Sequence, residues 1–194
     1  MILLFCGLSG AGKTTLAKNV ANELTGLGIR TEIIDGDEYR NEICRDLGFS
    51  KADRCENIRR LGFVASRFSA HGIVTIVSAI NPYSEMRQEL AEKYQHVNIV
   101  HIDCPVKKLI SRDTKGLYKK AFLPDGHRDK LNNLTGINAQ FDVPYTPDLY
   151  INTSESTVAQ STSTLLYFIL NNLNPLDKAE KKQPIIVNST GNSF

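Results

Sequence analysis

Gly7-Leu8-Ser9-Gly10-Ala11-Gly12-Lys13-Thr14 carries glycines, a lysine and a hydroxyl residue at the spacing G-x-x-x-x-G-K-[ST]. Glycine here lets the backbone curl until successive N–H groups converge, and the positive end of a helix starting near Gly12 adds to them. Such a cradle grips phosphate oxygens. Lys13 is placed to reach the β and γ phosphates of a nucleotide, and the Thr14 hydroxyl to meet a Mg²⁺ ion bound there. The motif follows the apolar run Ile2 to Cys6 and precedes a helical stretch, the context a phosphate-binding loop requires. By itself it names a nucleotide site and no reaction. A guanine-specifying N-K-x-D is absent from the 194 residues, and the one D-x-x-G, Asp113 to Gly116, lies away from any strand end, so a GTPase is excluded.

A second group of polar residues follows the run Thr31 to Ile34: Asp35-Gly36-Asp37-Glu38-Tyr39-Arg40. Carboxylates at the carboxyl end of a strand sit where open α/β sheets bind ligands. If the chain remains extended, Asp35 and Asp37 point to similar sides, and a carboxylate there orients an acceptor hydroxyl or holds Mg²⁺ through water. A polar turn with an aspartate capping the next helix is the plainer alternative. Arg40 lies three residues beyond Asp37, and Asn57 three beyond Arg54, so each pair shares a helical face. Planar guanidinium forks suit phosphate or sulfate oxygens.

These residues need a parallel sheet behind them. Short apolar runs at 2–6, 31–34, 73–77, 97–102 and 149–151, separated by helical stretches, predict a P-loop NTPase-like α/β fold. Its five-stranded parallel sheet is flanked by helices. Ser50 with Asp53 predicts a capping box opening a helix to about His71, with Ile58, Leu61, Ala65 and Phe68 as its buried stripe. Pro105 is expected at the first position of another helix, and Ser154 as the cap of the last, from about Thr157 to Leu170. Residues 113–147 are rich in Lys, Gly, Asp, Asn and Pro, and so long a connection inside a compact domain predicts a lid or binding loop. The expected domain covers 1–174, followed by a tail at 175–194.

The composition is that of an ordinary globular chain, with 41% hydrophobic and 23% charged residues and a net charge of +2. That balance argues against a nucleic-acid groove, and no apolar run is long enough to cross a membrane. Cys6, Cys44, Cys55 and Cys104 lack zinc or CxxC spacing, so reduced thiols in the cytoplasm are expected.

In order and spacing, GLSGAGKTT, DGDEYR, RDLGFSKADRCENIRRLGFVAS, INPY, RDTKGLYKKA and LTGINAQFDVP resemble the adenylylsulfate (APS) kinases. The resemblance runs from about residue 3 to 170 and implies transfer of the γ-phosphoryl group of ATP, with Mg²⁺, to the ribose 3′-hydroxyl of APS. It implies an ATP site from Gly7, Leu8, Ser9, Gly10, Ala11, Gly12, Lys13, Thr14 and Thr15, with Arg112 over the adenine. Thr14 and Asp35 would serve the metal, while Asp37, Lys13 and Lys115 would be catalytic. Arg40, Arg54 and Asn57 match residues that hold the phosphosulfate, and Phe49 and Ile80 flank the APS adenine. A homodimer is the expected assembly.

Two departures from the family stand out. Many relatives read ISPYR where this chain has Ile80-Asn81-Pro82-Tyr83-Ser84, so a serine proposed elsewhere as a phosphoenzyme is Asn81 here. Leu134 stands where relatives carry phenylalanine, which leaves Phe49 as the main stacking partner. Read from the residues alone, a kinase of another small anionic metabolite and a nucleotide-binding regulator with decayed activity both stay open.

Overall fold

Ile2 and Leu4 face one way from the first strand and Leu3 and Phe5 the other, and all four are buried. Only a sheet covered on both faces permits that. The computed structural model describes residues 1–173, so the expected tail at 175–194 lies outside the described residues. Among the described residues five strands, β1 (Ile2–Cys6), β2 (Thr31–Asp35), β3 (Val74–Ser78), β4 (Val97–Asp103) and β5 (Leu149–Asn152), are connected and followed by seven helices. The helices are α1 (Lys13–Gly26), α2 (Gly36–Glu42), α3 (Lys51–Ala70), α4 (Ser84–Lys93), α5 (Val106–Arg112), α6 (Leu117–Ala121) and α7 (Val158–Asn172).

All neighbouring strands are parallel in the order β2-β3-β1-β4-β5, with Leu3 opposite Ile76 on one side and Asn98 on the other. The chain winds out from β1 in both directions, so a crevice opens at the carboxyl end of β1. Leu16, Val20 and Leu24 of α1 and Leu165 and Ile169 of α7 cover the face carrying Leu3, Phe5 and Val100. Ile58, Leu61 and Ala65 of α3 and Met86 and Leu90 of α4 cover the face carrying Ile2, Leu4, Ile34 and Val77.

Helix boundaries follow hydrogen-bonding chemistry. The Ser50–Asp53 box forms as expected, Ser50 Oγ accepting from Asp53 N at 3.1 Å and Asp53 Oδ2 from Ser50 N at 3.3 Å. Two expectations are corrected. Pro105 is the residue before α5, not its first position, because its ψ of 135° is extended. Ser154 does not cap α7; its hydroxyl and N–H both turn back to Asn152 Oδ1. Thr157 caps instead, in a box with Gln160.

Residues 113–147 contain little regular structure beyond α6 and a Thr135–Ala139 bridge, yet they are tied to the sheet at several points. Tyr118 Oη donates to Ser9 O, Arg54 bonds the 133–135 stretch, and Asp142 Oδ2 accepts from Ser84 N and Oγ. Arg87, 2% exposed, bridges the carbonyls of Asn81 and Asp142.

Candidate active site

Gly7 leaves β1 with φ 149°, and a Cβ there would lie 2.1 Å from the carbonyl oxygen of Ile102, so no other residue fits. The loop then curls to α1, whose N-cap Gly12 has φ 102° and offers no side-chain cap. The first N–H groups of α1 are thus left to an outside acceptor, since Leu16 N is the first to find the loop, at Gly12 O. Lys13 is buried and donates to Gly7 O and Leu8 O, each at 2.8 Å. Burial, aided by the like charge of Lys115, lowers its pKa to about 8 against the pull of Asp37, Cys6 and Asp35.

The acidic turn departs from the extended form. The chain enters α2 at Gly36, and Asp35 becomes its N-cap, Oδ1 accepting from Asp37 N at 3.0 Å. The extended form, in which Asp35 and Asp37 would point to similar sides, is corrected: Asp35 caps the helix, the plainer alternative, and capping turns the backbone after it. The other oxygen of Asp35 accepts from Thr14 Oγ1 at 2.9 Å, with Ser78 Oγ 3.4 Å from the same hydroxyl. One carboxylate therefore both starts α2 and faces the phosphate loop. Thr14 and Asp35 make a hard-oxygen pair beside the cradle, which suits Mg²⁺ completed by phosphate and water. Among the described residues no cluster of three His, Cys, Asp or Glu offers an alternative metal site.

Asp37, on the first turn of α2, pairs with Lys115 at 2.5 Å across the mouth of the crevice. Arg40 donates to Gly48 O at 2.8 Å, and Arg54 to Phe49 O, Thr135 Oγ1 and Asn133 O. Their guanidinium carbons lie 4.7 and 5.4 Å from the Phe49 ring centre. Neither arginine, nor Lys13, forms an ion pair among the described residues. Cations lacking a carboxylate partner favour an anionic ligand.

Gly10, Gly12, Lys13, Thr14, Thr15, Asp35, Asp37, Phe49, Arg54, Ile80 and Lys115 line one cavity of about 540 Å³, together with Leu134. That size lies within the usual range of small-molecule sites. A recess of about 80 Å³ opens among Asp37, Arg40, Asn57, Ile80 and Asn81. Asn81 has φ 45°, and both its amide atoms and Asn57 Oδ1 are buried without a hydrogen-bond partner among the described residues. Gly7, Leu8 and Ala11 shape the loop from behind, while Arg112 lies outside the cavity lining and donates to Thr153 O at 3.0 Å.

Ser78, Asn133, Thr135, Tyr118 and Thr153 escaped the sequence reading. Tyr118 and Thr135 lie inside the RDTKGLYKKA and LTGINAQFDVP strings, but nothing local marks a role for any of the five, and only the fold shows what they touch.

The adenylylsulphate kinase family model matches residues 1–152. An adenylyl-sulfate kinase from Synechococcus sp. (strain JA-3-3Ab) is 42% identical, over 80% of this chain and 86% of its own. One from Geotalea daltonii is 41% identical, over 87% and 82%. Among solved structures, the Mycobacterium tuberculosis APS kinase CysC in complex with AMPPNP and APS superposes with a TM-score of 0.79 at 33% identity, covering 87% of this chain and 96% of that one. The phosphate loop, the acidic turn and these likenesses agree, and the chain belongs to the adenylylsulphate kinase family.

Proposed function

We propose that this chain transfers the γ-phosphoryl group of ATP to the 3′-hydroxyl of APS in one in-line displacement between the Lys13 loop and Asp37. The observation that carries the reading is the shared cavity, which places Lys13, Thr14, Asp37, Lys115, Arg54 and Phe49 around a single space. The complex of the mycobacterial relative with AMPPNP and APS supports the same donor and acceptor. Residues Gly7 to Thr15 hold the ATP phosphates through N–H groups and the Lys13 ammonium, and Arg112 reaches the adenine. Thr14 and Asp35 hold Mg²⁺, which neutralises phosphate charge when bound. Asp37 accepts the hydrogen bond of the 3′-hydroxyl and takes its proton, while Lys115 leaves the carboxylate to face the moving phosphoryl group. Arg40, Arg54 and Asn57 receive the phosphosulfate, with Phe49 and Ile80 beside the adenine. The 113–147 segment acts as a lid, and the chain works in the cytoplasm as a homodimer.

Incubation with Mg-ATP and APS, followed by chromatography, is expected to yield ADP and 3′-phosphoadenylylsulfate in equal amounts. ADP formation without that product, or equal use of a sugar acid, would refute the assignment.

Lys13 also sets a pH dependence. The unfolded lysine releases its proton near 10.5 and the folded one near 8, so between these values the unfolded chain binds more protons. This group's contribution to stability therefore rises with pH across that window. Affinity for ATP moves the opposite way, because the charged ammonium is the form that meets the triphosphate. Calorimetric titration of Mg-ATP is expected to show Kd constant below about pH 8 and weakening by up to about tenfold per unit above it. A flat profile to pH 10 is the contrary result.

A further inference from the structure

Four carbonyls of the phosphate loop are held by protein donors, two of them by hydroxyls outside the cavity lining. Lys13 takes Gly7 O and Leu8 O, as described above. Ser9 O accepts from Tyr118 Oη at 2.9 Å, a contact spanning 109 residues. Ala11 O accepts from Thr153 Oγ1 at 2.9 Å, spanning 142 residues, and the Thr153 methyl lies 3.7 Å from where a Cβ on Gly12 would stand. Tyr118 belongs to α6 and is 2% exposed, and Thr153 directly follows β5.

Each peptide unit is planar and trans, so the C=O of one residue and the N–H of the next point in opposite directions. A hydroxyl holding Ser9 O outward turns Gly10 N–H inward, and one holding Ala11 O outward turns Gly12 N–H inward. Among the described residues neither of these N–H groups has a partner, and Ser9, Gly10 and Gly12 all line the cavity. Both glycines have positive φ, 78° and 102°, in a region where glycine moves freely, so the local chain does not lock the peptides by itself.

We infer that Tyr118 and Thr153 are positioning residues for the donor site: their hydroxyls aim the Gly10 and Gly12 N–H groups at the ATP phosphates. The inference rests on reading the loop as the ATP cradle and is independent of the acceptor. Burial pushes the Tyr118 phenol up to about 12, so it remains a neutral donor throughout the working range. Tyr118 lies within the 113–147 segment, so movement of that segment reaches the phosphate loop through one hydrogen bond.

The test is titration of the full chain with Mg-ATP, without APS, for the wild type and for Tyr118→Phe, Thr153→Val and Thr153→Ser. Tyr118→Phe and Thr153→Val each remove one hydroxyl with little change of shape. Each is expected to raise Kd about three- to tenfold, the weight of one hydrogen bond, while Thr153→Ser binds like the wild type. At saturating ATP, KM for APS stays unchanged. Amide ¹⁵N spectra add a readout that general loosening would not give. The ATP-induced shift of Gly10 is lost in Tyr118→Phe alone, and that of Gly12 in Thr153→Val alone. Wild-type Kd in both variants, or both glycine shifts intact, overturns the inference. If Tyr118→Phe melts below the assay temperature, Thr153→Val decides by the same criteria. Failure of the wild type to bind Mg-ATP refutes the cradle itself.

Discussion

Replacing Lys13 with methionine is expected to lower kcat/KM with ATP by about a thousandfold or more, with the melting temperature unchanged or raised. A preorganised donor to developing charge contributes about two to three orders of magnitude in rate. Lys13 is a full cation in a site sheltered from water, where charge is poorly screened. Gly7 O would lose its donor and Leu8 O one of two, Ala11 N remaining at 3.2 Å, but the desolvation that lowers the Lys13 pKa to about 8 would also be relieved. These two effects oppose each other in stability, whereas catalysis loses on every count. Steady-state kinetics with calorimetric melting check this, and turnover within tenfold of the wild type contradicts it.

The second large effect concerns Asp37. Asp37→Asn keeps the side-chain shape and an acceptor for Lys115 but removes both the charge and the ability to take a proton. General-base catalysis is worth about two to four orders of magnitude, so kcat is expected to fall by about that much. KM for ATP should change little, because the proposed nucleotide cradle is the loop between β1 and α1. The carboxylate is exposed and far from the core, so unfolding cannot account for the loss. A kcat reduced less than tenfold would remove Asp37 from the reaction and leave it as a partner for Lys115.

The phosphate loop was legible in the sequence because everything it needs is contiguous: a strand, a curl and the first turn of a helix within the span from Ile2 to Thr14. The inner strands β1 and β3 were legible as apolar runs because both of their faces are buried, which suppresses alternation. Cap choice was less so. Ser154 and Thr157 are both good capping types, but only Thr157 has a Gln three residues on, and that reciprocal bond decided the boundary. Asp35 showed how a plain role and a functional one coexist, since its two oxygens serve different elements. Ser78, Tyr118 and Thr153 were illegible for another reason: each hydroxyl acts on a residue more than sixty positions away. No window of sequence contains both partners.

Asn81 bears on the reaction course. Its amide cannot form a phosphoester as a serine can, and its backbone carbonyl is held by buried Arg87 at 2.7 Å. With Lys13 and Asp37 lining the same cavity, a single transfer needs no protein nucleophile. The direct test uses ATP made chiral at the γ-phosphorus with oxygen isotopes, followed by stereochemical analysis of the 3′-phosphate of the product. One displacement predicts inverted configuration; retention would require a phosphorylated enzyme and contradict direct passage between the Lys13 loop and the Asp37 side.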